Sequence, residues 1–136
     1  MKQIILDTNG YAAFKHGNPE IIAIIQQVDI IGFTPVILGE LLAGFAIGTK
    51  TKKNQQELNK FLSSSRVYVY PVDENTAIQY AHIYASLRKK GAPIPTNDMW
   101  IGASALQHGC ALCSFNKHFT VIDNLLIVQQ VEDLLL

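Results

Sequence analysis

Two cysteines, one tryptophan and equal numbers of acidic and basic side chains remove several kinds of protein from consideration before any motif is read. Cys110 and Cys113 are too few for a disulfide scaffold. The chain needs none, since 136 residues, 49% of them apolar, can bury a core unaided. Their CxxC spacing suits a redox or zinc motif. The pair, however, follows a helix-like segment and enters a strand-like one, whereas redox pairs usually open a helix. No second cysteine pair completes a structural zinc, and His16, His82, His108 and His118 share no zinc-ligand spacing. The two thiols therefore read as small buried hydrophobes of a reducing compartment. A formal net charge of zero excludes a general polyanion sponge but leaves room for local basic patches. Lys50, Lys52 and Lys53 form one such cluster and Arg88, Lys89 and Lys90 another, each read first as a solvated helix end. No glycine-rich phosphate loop and no Ser/His/Asp elbow is present. No apolar run is long or unbroken enough to span a bilayer. The opening Met-Lys-Gln and short apolar run reach Asp7 at once, unlike a secretory leader, so a soluble cytoplasmic protein is expected.

What the chain has is alternation. Ile4-Ile5-Leu6 is a continuous apolar run, the mark of a strand buried on both faces. It stops at a polar turn, Asp7-Thr8-Asn9-Gly10, before a short helical piece from Tyr11 to Lys15. Pro19 can start a helix over Glu20 to Gln27, and Ile30 to Phe33 reads as a second buried strand. Thr34-Pro35 is a strong helix start, with Thr34 as N-cap, and the helix runs to about Ile47. A helix from Gln55 to Leu62, a strand from Val67 to Tyr70 and a long helix opened by Asp73 and stopped by Gly91 follow. In that long helix Ala77, Tyr80, Ala81, Tyr84 and Leu87 fall at helical spacing. A loop from Ile94 to Asp98 leads into a helix from Met99 to His108 with Gly109 as its stop. Ala111-Leu112-Cys113 and Leu126-Ile127-Val128 are the remaining strands. Strand and helix in alternation predict one α/β domain over residues 1–136, a three-layer sandwich around a mostly parallel sheet.

In such sheets ligands bind beyond the carboxyl ends of the strands, where strand order reverses. Asp7 directly follows the first strand, and Asn116 lies just past the Ala111 strand. Glu40 lies about two turns into the helix after the second strand, within Val-Ile-Leu-Gly-Glu-Leu-Leu-Ala-Gly-Phe. That helix is apolar nearly all round and is expected to be largely buried, so an ionised Glu40 there needs a compensating cation or strong donors. Asp98 opens a helix whose Gly102, Ala103, Ser104 and Ala105 allow close packing. Asp7 read alone is also a good turn residue or helix N-cap, and Asp98 a first-turn acid favoured by the helix dipole. Together, two or three carboxylates and a few waters suit Mg²⁺ or Mn²⁺, and such a site activates water for in-line phosphoryl chemistry with no catalytic His or Cys.

At these residues the chain resembles the PIN-domain ribonucleases, and closely the VapC toxins of bacterial toxin–antitoxin pairs. The matching pieces are Ile-Leu-Asp-Thr-Asn (5–9), Leu-Gly-Glu-Leu-Leu-Ala-Gly (38–44), Ile-Pro-Thr-Asn-Asp-Met-Trp-Ile-Gly-Ala-Ser-Ala (94–105) and Ser-Phe-Asn-Lys-His-Phe (114–119), in the family's order. The resemblance implies a Mg²⁺- or Mn²⁺-dependent endoribonuclease with the PIN fold. It places the family acids at Asp7, Glu40 and Asp98 as metal ligands. The fourth position, often Asp, is Asn116 here, a neutral donor that leaves the site one negative charge short and weakens a second metal. Ser114 stands where relatives often have Thr, and the resemblance implies a hydroxyl there able to hold a metal-bound water, with Thr8 and Asn9 able to do similar work. Asp123 lies beyond the motif and is not promoted to ligand. A homodimer and a cognate antitoxin that inserts a segment into the active-site groove are also implied, with Trp100, Tyr11 and Phe14 as groove or core aromatics. Two other readings remain. One is a catalytically weak PIN-like module that binds RNA or protein without cutting. The other, a phosphoaspartate protein using Lys117, leaves Glu40 and the Asn-Asp-Met-Trp segment unexplained.

Overall fold

A computed structural model describes residues 2–135. Five short parallel strands form one sheet: β1 (Gln3–Leu6), β2 (Ile30–Phe33), β3 (Val67–Val69), β4 (Ala111–Cys113) and β5 (Ile127–Val128). Their spatial order is β3-β2-β1-β4-β5. The chain thus builds outward from β1 to β3, then returns to start again at β4 on the other side of β1. The order reverses between β1 and β4, where Ile4 pairs with Ala111 and Leu6 with Cys113. The expected parallel α/β sandwich is the one observed. β1 is central and shows why its sequence has no alternation, because Ile4, Ile5 and Leu6 are all completely buried.

Six α-helices flank the sheet: α1 (Thr8–Lys15), α2 (Pro19–Gln27), α3 (Pro35–Ile47), α4 (Thr51–Leu62), α5 (Glu74–Lys90) and α6 (Thr96–His108). Local chemistry sets most of their ends. Asn18 and Thr34 accept from the backbone N–H groups of Ile21 and Ile37, each just before a proline at the first helical position. Asp73 and Thr76 form a reciprocal capping box at the start of α5. Gly91 and Gly109 take left-handed backbone at the ends of α5 and α6, which glycine adopts at little cost. Short 3₁₀ turns cover Lys117–Val121 and Val131–Leu135. Arg66 donates from Nη2 to the carbonyls of Ile25 and Val28 and so closes the last turn of α2. Rings of Tyr11, Phe14, Phe33 and Phe61, with centroids 5.2–6.4 Å apart, tie α1 and α4 to β2. Tyr11 and Phe14 therefore belong mainly to this packing.

Five helix expectations are corrected. α1, α4 and α6 begin three or four residues earlier than read, because the polar stretches Thr8-Asn9-Gly10, Thr51-Lys52-Lys53 and Thr96-Asn97-Asp98 are first turns rather than loops. The core side of α5 is Thr76, Ile83 and Leu87, so Ala77, Ala81 and Tyr84 of the supposed apolar face point to solvent. α3 is not buried all round. Only Ile37 and Leu41 are buried, while Leu42, Ala43, Ala46 and Ile47 are exposed, Ile47 at 91%. Cys110 and Cys113 are free and buried, as read, and burial first of all pushes the Cys113 thiol up to about 12. Among the described residues no helix is long and apolar enough to cross a membrane.

Gly32 in β2 shows how tightly the layers meet. A Cβ built there would lie 2.5 Å from Cε2 of the buried Tyr70 ring, which is itself stacked on His108 at 4.2 Å. Gly32→Ala is therefore expected to cost about 1–3 kcal/mol in urea unfolding. A variant as stable as the parent would mean that the Tyr70 ring moves freely and that β2 and β3 are less closely fitted than described.

Candidate active site

Asp7, Thr8, Asn9, Glu40, Asp98 and Asn116 line one small cleft of about 150 Å³, floored by Ile101 and Phe119. Four of these side chains arrive from separate places in the fold. Asp7 directly follows β1, Glu40 is on α3, Asp98 is in the first turn of α6 and Asn116 follows β4, while Thr8 and Asn9 open α1. The cleft sits past the carboxyl ends of β1 and β4, at the reversal of strand order, where a parallel sheet leaves a crevice.

Asp7 is held hardest. It is the N-cap of α1, with Oδ1 accepting from the Gly10 N–H at 2.7 Å, while Oδ2 accepts from the Ser114 hydroxyl at 2.5 Å. Ser114 in turn accepts from the Asn116 N–H at 3.0 Å. The ends of β1 and β4 are thereby locked together through one carboxylate. Gly10 permits this approach, because a Cβ there would lie 2.8 Å from Leu6 and 2.9 Å from Asp7 Oδ1. Only 4% of Asp7 is exposed. Burial, more than anything else, raises its carboxyl above the ordinary range. The hydrogen bonds from Ser114 and Gly10 pull it back, and the charges of Asp98 and Glu40 push it up again.

The other members are held more loosely. Thr8 donates to Glu40 Oε1 at 2.5 Å and Asn97 donates to Oε2 at 3.3 Å. Glu40 is half-buried, so its position rests on these two donors and not on the deep burial expected of α3. Asp98 Oδ2 lies 2.8 Å from His118 Nδ1. Asn116 Oδ1 accepts from the His118 N–H at 3.0 Å and starts the 3₁₀ turn. Its oxygen is thus occupied in positioning His118, which touches Asp98. Ser114 is likewise committed to Asp7 and does not point a free hydroxyl at a water. Asp123 stands apart, paired with Lys90 at 2.5 Å and bonded to Ser86. Asn97 was not singled out from the sequence. Its only signal was its place beside Asp98 in a helical first turn, and its reach to Glu40 depends on how α3 crosses α6.

The four expected positions are thus brought together. The family model described as PIN domain matches residues 4–125 of the chain, across all four. The chain belongs to the PIN domain family. Among its relatives, the protein named Ribonuclease VapC2 of Rickettsia felis is 30% identical over 131 residues, covering 90% of this chain and 94% of that one. Among solved structures, VapBC2 of Rickettsia felis bound to a DNA fragment from its promoter superposes with a TM-score of 0.82 at 25% identity, over 92% of this chain and 96% of the other. VapBC-1 of nontypeable Haemophilus influenzae does so with a TM-score of 0.82 at 27% identity, over 96% and 98%.

Family membership brings a divalent cation into question, and the donor set suits one. Every acid is an oxygen donor, and no lysine or arginine lines the cleft. Among the described residues no three His, Cys, Asp or Glu side chains converge into a ready-made shell. Mg²⁺ seldom needs one, since it takes one or two carboxylates and keeps several waters.

Because the folded protein holds a proton on Asp7 more readily than the unfolded chain does, ionising Asp7 costs stability. That stabilisation is fully present below the ordinary carboxylate pKa and is lost as pH rises through the raised folded value. Asp7→Asn keeps the acceptor for Gly10 and removes the charge. At neutral pH without divalent metal the variant is expected to melt higher than the parent, by about 3 °C for each kcal/mol relieved. The gap should close as pH falls. A variant that melts lower at pH 7, or a gap that widens in acid, would show that the charge is not strained there.

Proposed function

We propose that this chain is a single-domain, metal-dependent endoribonuclease of the cytoplasm, the toxin half of a toxin–antitoxin pair. The observation that carries the reading is the meeting of Asp7, Glu40, Asp98 and Asn116 in one cleft at the strand-order reversal. The relatives named Ribonuclease VapC support RNA as substrate, and the VapBC neighbours support a protein antitoxin.

In this reading Asp7 and Asp98 hold Mg²⁺ or Mn²⁺ directly, with Glu40 as a further ligand or an acceptor for a bound water. The cation, when bound, supplies charge neutralisation at the scissile phosphate and lowers the pKa of water. The chain's own residues do the rest. Ser114 and the Gly10 N–H fix both oxygens of Asp7, so its carboxylate cannot turn away. Thr8 and Asn97 fix Glu40, leaving its remaining lone pairs toward the cleft. His118, set by Asn116, holds one oxygen of Asp98. The uncharged Asn116 contributes position where relatives often contribute charge. The charges of Asp98 and Glu40 on Asp7 are only partly offset by its hydrogen bonds, which favours cation binding over rearrangement.

The exposed apolar side of α3 supports the antitoxin. Beside it, a cleft of about 370 Å³ has Leu41 and Phe45 as apolar floor and Lys50 and Lys53 on its rim, with Lys15 paired to Glu57 at 2.6 Å. A segment with apolar anchors and acidic neighbours fits both. The family resemblance extends the assembly to a homodimer.

Purified protein is expected to cut cellular RNA with Mg²⁺ or Mn²⁺, to stop in EDTA, and to lose at least about 100-fold in rate in Asp7→Asn and Asp98→Asn. Cutting that survives in both variants would remove the acids from the mechanism. Binding of RNA without any cutting would favour the non-cleaving module. A second comparison isolates the fourth position. Asn116→Asp keeps the acceptor for His118 and is expected to retain cleavage, whereas Asn116→Ala is expected to lose about 10-fold or more, the worth of a lost hydrogen bond to a positioned group. Equal rates in the two variants would show that the Asn116–His118 contact does not matter.

A further inference from the structure

Two rings of the long helix α5 and one of α6 form an aromatic series that runs to the surface. Trp100 of α6 stacks on Tyr80, with centroids 4.2 Å apart and planes 21° apart. Tyr84, one turn on, is nearly parallel to Tyr80 at 6.4 Å and 25°. The series ends there, and Tyr84 is 48% exposed. It ends over a cleft of about 440 Å³ lined by Tyr84, Leu87, Arg88, Ile94, Thr96 and Met99. Leu87 and Met99 are buried, so the floor is apolar and fixed. The wall is stiff as well, built by Pro93 and by Gly91 in its left-handed conformation.

The charge in this cleft has one sign. No acid lines it, and the Arg88 guanidinium makes no ion pair or hydrogen bond among the described residues. Neighbouring Lys90 is occupied by Asp123 and the Val121 carbonyl, and Arg88 is the cation that lines this cleft. In a chain of zero net charge this excess is local. The cleft also adjoins the acids. Thr96 and Met99 line it, Asp98 and Ile101 line the acid cleft, and all four belong to the first two turns of α6. The two clefts are therefore separated by about one helix width, roughly 10 Å, a distance that a strand of RNA spans in one or two nucleotides.

A buried apolar floor, an open-ended aromatic stack and one guanidinium without a side-chain partner match a nucleotide, with the base on Tyr84 and its phosphate at Arg88. We propose that this cleft is a base-stacking subsite that holds an unpaired nucleotide of the RNA beside the scissile phosphate and so contributes to the choice of cleavage site. This rests on the nuclease reading above. Tyr84 and Arg88 are binding residues for the substrate, and neither takes part in bond cleavage.

The test uses the full chain. In the Asp7→Asn background, which leaves RNA intact, Tyr84→Ala is expected to weaken binding of short single-stranded homopolymeric RNA by about 5- to 100-fold, the range of one base–aromatic stack. Tyr84→Phe should stay within about twofold. Arg88→Gln should reduce the salt slope of binding by about 0.7, the loss of one phosphate contact. With Asp7 restored, Tyr84→Ala should raise KM more than it lowers kcat and change the base preference around the cut. Both positions are exposed, and matching thermal melts exclude misfolding as the cause. Unchanged RNA affinity and unchanged base preference in Tyr84→Ala, in a protein that still cuts with metal, overturn the subsite and leave the nuclease standing. Conversion of a dimer into a monomer by Tyr84→Ala, with RNA affinity per chain unchanged, also overturns it, because a second copy then covers the cleft. Absence of cutting by the parent protein in every metal removes the nuclease reading itself.

Discussion

The burial of one carboxylate, Asp7, beside two others in a small cleft is the constraint around which the rest of the structure is arranged. Asp7 carries most of the cost, because it is buried and feels the charges of both Asp98 and Glu40. The fold offsets this with aimed dipoles. Asp7 sits at the N-terminus of α1 and Asp98 in the first turn of α6, where helix dipoles favour negative charge. Hydrogen bonds from Ser114, Gly10, Thr8 and Asn97 hold the oxygens in place. What they do not supply is a full positive charge.

A bound cation would complete that compensation, and the fold explains why the acids cannot move apart. Asp7 and Ser114 end adjacent parallel strands whose register is set by Leu6 and Cys113. α6 is fixed to the sheet through small residues, since a Cβ at Gly102 would lie 2.7 Å from Ile122. α5 is fixed to α6 in turn, with Gln107 donating to Asp73 at the α5 cap. Stability of the core is thus used to hold a destabilised site, a common pattern in enzymes.

Much of this was legible in the residues. Continuous apolar runs located the strands, Thr34-Pro35 and Asp73 located helix starts, and Gly91 and Gly109 located helix ends. Asp7, Asp98 and Asn116 could be placed at one sheet edge because strand ends in a parallel sheet share an edge. Other features needed three dimensions. The early starts of α1, α4 and α6 were obscured because polar first turns look like loops. Glu40 seemed buried because α3 is apolar on every side, yet that composition leaves an exposed stripe through Leu42 and Ile47. The outward turn of Tyr84 could not be read, since Ala77, Tyr80 and Tyr84 share helical spacing with either face of α5. Nor could the Asn116–His118–Asp98 link, whose members meet only when the 3₁₀ turn folds back on α6.

The central claim is that the acid cluster waits for a divalent cation. The most direct measurement is the melting temperature of the protein across a manganese titration, for the parent chain and for Asp7→Asn. A cation that binds only the folded state raises the melting point by mass action. The account predicts a saturable rise in the parent chain that is lost in Asp7→Asn. A parent chain indifferent to millimolar manganese, or an equal rise in both proteins, would contradict it.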